Sequence, residues 1–240
     1  MALDRATRNG IARHYAHRGH RWHARWKLAC DPAYAAVAEL VGDRSLPVLD
    51  IGCGIGLLGQ YLHAEHAATR YIGVDHDPRK IAAAREAATA AGLDGDMDFR
   101  DSDAATLPPV HGHVVMLDVL HYLPAARQQA LLRAALAHLA PEGTLVIRNV
   151  LREPNWRFHA TRVEEFFLRV SGWIPGGAQH YPRAQELGAP LRQAGLDVQV
   201  SSLRGRTPYN SYLLVARFSE ARTKTRVDGS EQVYSAAQSP

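Results

Sequence analysis

The stretch Asp50-Ile-Gly-Cys-Gly-Ile-Gly-Leu-Leu-Gly59 ends a short apolar run and opens a helical one, and its four glycines read in two ways. Counted from Gly54 it is G-x-G-x-x-G (Gly54, Gly56, Gly59), with Asp75 about twenty residues further on, the spacing of a dinucleotide-binding turn. Counted from Asp50 it is D-x-G-x-G-x-G (Asp50, Gly52, Gly54, Gly56), a loop for a different ligand. In both readings the glycines let the backbone turn tightly and approach a ligand closely.

Outward from this loop the chain alternates short apolar runs with alanine-rich helical ones, the signature of βαβ units around a parallel sheet. P-V-L-D-I, Y-I-G-V-D, M-D-F-R, V-V-M-L-D and T-L-V-I-R-N-V read as five successive strands. Pro78 stands where the first turn of a helix tolerates proline. Leu132, Ala135, Leu136 and Leu139 fall on one helical face and read as core. D-V-Q-V-S-S-L and Y-L-L-V-A-R-F then follow with no helix between them and predict a terminal β-hairpin. The expected fold is α/β and Rossmann-like, a seven-stranded sheet with one antiparallel strand. Residues 1–45 are expected to form a helical cap, 46–218 the main domain with 151–188 as a lid insertion, and 219–240 a polar, disordered tail. The cap and lid segments hold ten of the eighteen aromatic residues, and both are expected over the carboxyl edge of the sheet, where open α/β folds bind ligands.

A length of 240 residues suits one sizeable α/β domain. The first residues have no signal-peptide pattern and no apolar run is long enough for a membrane span, so a cytoplasmic protein is expected. Cys30 and Cys53 make neither a disulfide framework nor a zinc site, and Cys53 reads as a small residue in a tight loop rather than a catalytic thiol. The net charge of +4 is unevenly placed. Residues 1–30 carry +6, from Arg5, Arg8, Arg13, Arg18, Arg21, Arg25 and Lys27 against Asp4. Such a segment is either a solvated basic helix or suited to an acidic partner surface, an anionic substrate or nucleic acid.

Five motifs in order, V-L-D-I-G-C-G-I-G (48–56), I-G-V-D (72–75), D-A-A-T-L-P (103–108), M-L-D-V-L-H-Y-L (116–123) and L-A-P-E-G-T-L-V-I (139–147), resemble the class I S-adenosylmethionine-dependent methyltransferases. The resemblance covers roughly residues 45–218 and implies S-adenosylmethionine as cofactor. It resolves the opening ambiguity in chemical terms. A pyrophosphate wants backbone N–H groups and is repelled by a carboxylate such as Asp50, whereas a zwitterionic methionine with a sulfonium is served by a carboxylate near its amino group. The resemblance implies that Gly52, Cys53, Gly54 and Gly56 lie along the cofactor, that Asp75 accepts from the ribose hydroxyls and that Asp103 with Ala104 meets the adenine edge. Asp118 is then beside the methionine moiety or the acceptor. His76 departs from the apolar or small residue the family often has beside that aspartate. Gly59 reads as a helix-packing glycine.

By the same resemblance the reaction is an in-line methyl transfer, governed by alignment, with a base needed only where the nucleophile holds its proton tightly. Candidate bases are His121, Tyr122, His159 and His180, with His121 ranked first. His14, His17, His20 and His23 recur every three residues but alternate with arginines and lack carboxylate or cysteine companions, so a basic aromatic cap is expected there and no metal site. The acceptor is expected to be small, aromatic or acyl-like. The terminal segments further resemble methyltransferases of bacterial aryl-polyene and related polyketide-type pigment pathways, which implies a phenolic head group, free or presented by an acidic acyl carrier protein. Three rival classes remain at this level: an NAD-linked oxidoreductase, which leaves Asp50 and the hairpin unexplained; an RNA methyltransferase, suggested by the arginines around Trp22 and Trp26 although no RNA-binding module is recognisable; and a cofactor-binding partner subunit without turnover.

Overall fold

Seven strands form one sheet in the order β3-β2-β1-β4-β5-β7-β6. The computed structural model describes residues 3–42, 45–67, 70–102, 107–153, 158, 177–203 and 210–219. Asp103, Ala104, His159, most of the expected lid and the expected tail lie outside these described residues.

Three helices precede the sheet, α1 (Arg5–Arg13), α2 (Arg18–Cys30) and α3 (Ala33–Leu40). They are followed by β1 (Val48–Ile51), α4 (Leu57–Ala64), β2 (Tyr71–Asp75), α5 (Pro78–Ala91), β3 (Met97–Asp101) and β4 (His113–Leu117). A 3-10 turn (Leu120–Tyr122), α6 (Ala125–Ala137), β5 (Leu145–Val150), α7 (Ala184–Gln193), β6 (Leu196–Ser202) and β7 (Ser211–Phe218) complete the described elements. All five strands read as a parallel set pair in parallel, and β7 runs antiparallel to both β5 and β6. Among the described residues no helix is long and apolar enough to cross a membrane.

Local chemistry explains the boundaries. Asp4 caps α1 by accepting from the Thr7 N–H at 2.7 Å, and Asp77 caps α5 by accepting from the Arg79 N–H at 3.0 Å, with Pro78 in the first turn. β1, β2, β4 and β5 are buried on both faces, as their near-continuous apolar runs require, while the edge strand β3 buries only Met97 and Phe99. Leu49 and Ile51 join the layer under α6 and α7, while Val48 packs in the layer of α1 to α5. Alternation along β1 therefore turns Asp50 toward the face covered by the N-terminal helices. Asp50 pairs with Val115 and Val115 with Val146, so Arg148, two residues beyond Val146, lies on that face as well.

The order of strands reverses direction between β1 and β4, and the loops leaving these two neighbours open the crevice where such sheets bind ligands. Gly59 brings α4 onto this region. A Cβ on Gly59 would stand 2.9 Å from the Tyr71 ring, so this glycine serves helix-to-strand packing. Gly59→Val is expected to cost about 1–3 kcal/mol by overpacking, read as a lower urea midpoint at unchanged m-value. An unchanged midpoint would show that α4 can withdraw from β2 at no cost.

Candidate active site

β1 ends on a carboxyl group that is almost wholly out of water. Asp50 is 2% exposed and accepts a hydrogen bond from the Tyr71 hydroxyl through Oδ2. Its Oδ1 has no hydrogen-bond partner. Burial pushes the Asp50 carboxyl up to about 7, against the lowering effect of the Tyr71 hydroxyl and with a further push from Asp75. Burial, and next the Asp50 charge, hold the Tyr71 phenol well above its ordinary value, so Tyr71 is the donor of this pair.

The loop after Asp50 is pinned on its inner side. The Gly52 and Cys53 N–H groups both donate to the Val74 carbonyl, at 2.7 and 3.0 Å. The Cys53 side chain packs against Gly73, and burial, followed by Asp50 and Asp75, raises its thiol well above the ordinary value; it is no nucleophile. Gly54 is different. It adopts φ +57° and a Cβ built on it would meet nothing within 4 Å, so this turn of backbone faces open space and a ligand can lie directly on it. The Gly54 N–H donates to Asp75 Oδ2 at 2.9 Å, and the Asp77 N–H to Asp75 Oδ1 at 2.9 Å, which fixes the carboxylate at the end of β2. His76 points outward with its side chain 84% exposed, 3.5 Å from Asp75.

Over the loop lies the cap. Tyr15 is 1% exposed and its hydroxyl donates to the Ile55 carbonyl at 3.2 Å. A partly open cavity of about 140 Å³ lies between α2 and the strand ends, with His23, Lys27 and Asp31 on one side and Asp50, Gly54 and Asp118 on the other. Burial, then the Lys27 and His20 charges, push His23 down to about 4, so it is neutral at neutral pH. Four charges close the cavity floor. Arg148 lies 3.2 Å from Asp31 and bonds Asp118 directly, while Lys27 lies 2.9 Å from Asp31 and 3.8 Å from Asp118. Burial alone would raise the Asp31 carboxyl, yet Arg148 and Lys27 outweigh it and hold it below its ordinary value. Asp118 adopts φ +59°, a conformation that costs a non-glycine residue about 1 kcal/mol or more; its bond to Arg148 holds it there.

Of the expected base candidates, the three within the described residues, His121, Tyr122 and His180, gather at a second spot, beyond β4. His121 is 2% exposed. Its backbone N–H donates to Asn149 Oδ1 at 3.3 Å, and Asn149 Nδ2 donates to the Val150 carbonyl at 2.8 Å. Those two bonds orient the amide, so the 2.9 Å contact of His121 Nδ1 with the same oxygen makes Nδ1 the protonated nitrogen and Nε2 the basic one. Tyr181 stacks parallel to His121 at 6.1 Å, Tyr122 lies 4.1 Å away and Phe158 meets Tyr181 edge-on. His180 pairs with Glu186 at 3.2 Å, and its carbonyl accepts from Gln128 Nε2 at 2.8 Å. Of the N-terminal histidines, His17 caps α2 through the Gly19 N–H and His14 meets Gln60 Oε1; only His23 reaches the cavity wall. Among the described residues no group of three His, Cys, Asp or Glu side chains is arranged to hold a metal ion.

The residues present fit the cofactor that the motifs imply. The orphaned Asp50 Oδ1 wants a cationic donor, the Gly54 turn offers open backbone beside it, and Asp75 stands at the end of the next strand for a diol. Tyr71, Asn149, Lys27, Asp31 and Arg148 were missed by sequence reasoning, since each acts through a partner distant in the chain.

Comparison with known proteins agrees. Residues 48–143 match the family model described as a methyltransferase domain. A ubiquinone biosynthesis O-methyltransferase of Xanthomonas campestris pv. campestris is 30% identical over 168 residues, 69% of this chain and 67% of the relative. Its counterpart from Xanthomonas euvesicatoria is 30% identical over 67% of this chain, and the match spans only 65% of that relative's length. Magnesium protoporphyrin IX methyltransferase from Synechocystis PCC 6803, solved with bound SAH, shares the fold with a TM-score of 0.60 at 21% identity, over 78% of this chain and 82% of its own.

Two outcomes follow for this site. Burial raises the Asp50 carboxyl of the free protein to about 7; an ammonium placed against it would favour the ionised form, and its binding would expel that proton. Cofactor affinity measured by calorimetry should therefore fall as pH drops below about 7, by up to about tenfold per unit, and level off above it. Asp50→Asn should flatten this slope and weaken binding about 10- to 100-fold; a slope that persists in the variant would assign it to another group. Arg148→Met, which takes a buried partner from Asp31 and Asp118, should cost about 3–5 kcal/mol of stability, visible as a large drop in melting temperature.

Proposed function

From the premise that the chain belongs to the class I S-adenosylmethionine-dependent methyltransferases, we propose that it methylates a hydroxyl oxygen of a small aromatic acceptor, taken free or as a thioester on an acidic acyl carrier protein. The observation that carries the reading is the buried, half-satisfied Asp50 carboxyl beside the open Gly54 turn, a site suited to a cationic amino acid head and unsuited to a pyrophosphate. Oxygen as the acceptor atom is supported by the O-methyltransferases that the chain resembles at 30% identity.

When bound, S-adenosylmethionine supplies a methyl group on a sulfonium sulfur, open to in-line displacement. The protein's part is to bind, orient and take a proton. Asp50 holds the amino group, Asp75 the ribose hydroxyls, and the Gly52 to Gly54 backbone the length between them. The cap, anchored by Tyr15 and the Lys27, Asp31, Arg148 and Asp118 charges, narrows the exposure to solvent of the cavity, where fixed charges act more strongly than in bulk water. A phenol holds its proton tightly enough to need a base near neutrality. His121 fills that role through Nε2, its tautomer set by Asn149, with Tyr122 and Tyr181 forming an aromatic wall suited to a flat ring.

The direct test is transfer of labelled methyl from S-adenosylmethionine into an extract of the producing cell and into defined mono- and dihydroxybenzoates. Label in a base-stable aryl methyl ether is expected, and label confined to RNA would sink the reading. His121→Ala should lower kcat about 100-fold while cofactor affinity changes less than about twofold. Parallel loss of both would make His121 a packing residue.

A further inference from the structure

The outer surface of α2 carries a feature that neither the cofactor cavity nor the cap's packing uses. Trp22 is 65% exposed. It lies nearly parallel to Trp26, with ring centroids 6.4 Å apart and the rings 9° from parallel. Arg18 and Arg25, four residues before and three after, share its helical stripe and are exposed as well. The opposite face of the helix is spent on the core through Ala24 and Leu28, which are buried, and the flank beside Trp22 reaches the cavity wall with His23 and Lys27.

An exposed aromatic between two arginines is the composition of an interface anchor with a cationic rim. The +6 charge of residues 1–30 sets the sign of what fits there. A bilayer surface fits poorly, because a helix lying in the interface needs an apolar face and α2 has turned its own inward. A nucleic acid backbone fits poorly too. From Arg18 to Arg25 the stripe runs only about 10 Å along the helix, the length of a few phosphates, whereas backbone tracking depends on many cationic contacts. A short acidic helix of a globular protein matches both the length and the sign. One helix diameter, about 10 Å, separates such a partner from the cavity, a gap that a flexible arm bearing the acceptor spans.

We infer that the Arg18, Trp22 and Arg25 face of α2 is the docking surface for an acidic carrier protein that delivers the acceptor as a thioester to the cavity behind the same helix. This rests on the proposed methylation of an aromatic hydroxyl and adds the partner and the place where it binds.

The test compares one acceptor in two forms, a 3,4-dihydroxybenzoyl thioester on an acyl carrier protein and the same thioester on free pantetheine. Wild-type protein should show a KM about tenfold or more lower for the carrier form, an advantage that fades near 0.5 M salt as the charges are screened. Trp22→Ala and Arg18→Glu/Arg25→Glu should each raise KM for the carrier form about tenfold, while the pantetheine form and cofactor affinity stay within about twofold of wild type. Equal KM for both forms in the wild type, or equal loss on both forms in the variants, overturns the docking surface and leaves aromatic methylation standing. Binding to RNA or to vesicles rich in phosphatidylglycerol that is lost in the variants, without any carrier advantage, also overturns it. If neither thioester nor the free phenol is methylated although the cofactor binds, the acceptor reading itself fails, and this inference with it.

Discussion

A carboxyl group removed from water and given a single neutral donor is an unfinished arrangement, and Asp50 is held in one. Burial of an ionised carboxylate without a counter-charge costs several kcal/mol. The free protein meets this cost by letting Asp50 keep its proton near neutrality, with Tyr71 on one oxygen and nothing on the other. Much of the neighbouring structure follows from keeping that group in place. Gly59 admits the Tyr71 ring beneath α4, and the Gly52 and Cys53 amides tie the loop to β2. Tyr15 then ties the cap to the loop. On the proposed reading, the site is pre-organised for a charge that arrives with the ligand, the condition under which electrostatic binding loses least to rearrangement.

The Lys27, Asp31, Arg148 and Asp118 group solves a different problem on the same sheet face. Two acids and two bases balance formally, so the cavity floor gains strong fixed dipoles without a net charge that would repel either end of a zwitterion. Arg148 suits the central position because its planar guanidinium reaches two carboxylates at once, and its Nε donates to Ser211 Oγ at 2.7 Å, which ties the antiparallel strand β7 into the arrangement. The hairpin at the far end of the chain thereby supports the site from behind.

Much of this was legible in the chain because it is local. The βαβ alternation and the proline-started helix gave the strands nearly residue by residue, and the terminal hairpin was readable from two apolar runs with no helical period between them. Asp50 and Gly54 were readable because their chemistry sits inside one loop. Arg148 was not, since in T-L-V-I-R-N-V it reads as the polar end of a core strand, and its meaning depends on Asp31, more than a hundred residues earlier. Tyr71 was hidden for the same reason: a strand's first residue reveals its donor role only once α4 presses it toward β1. The His14 to His23 series was read as part of a helical cap, and the distinct tasks of His17 at a helix start and His23 at the cavity wall depend on helix boundaries that spacing alone does not set.

The ion group also has a history written into the order of the chain. Lys27 and Asp31 are made early, whereas Arg148 is added 121 residues after Lys27. At about 5–20 residues per second, the cap waits roughly 6–25 s on the ribosome before its counter-charge exists. Through that interval β1 to β4 are made, so the cap can already meet Ile55 and Gln60 while its charge pair still lacks Arg148. Lys27 and Asp31 therefore pair with each other before Arg148 joins them, and the group is complete only when Ser211 of β7 meets Arg148.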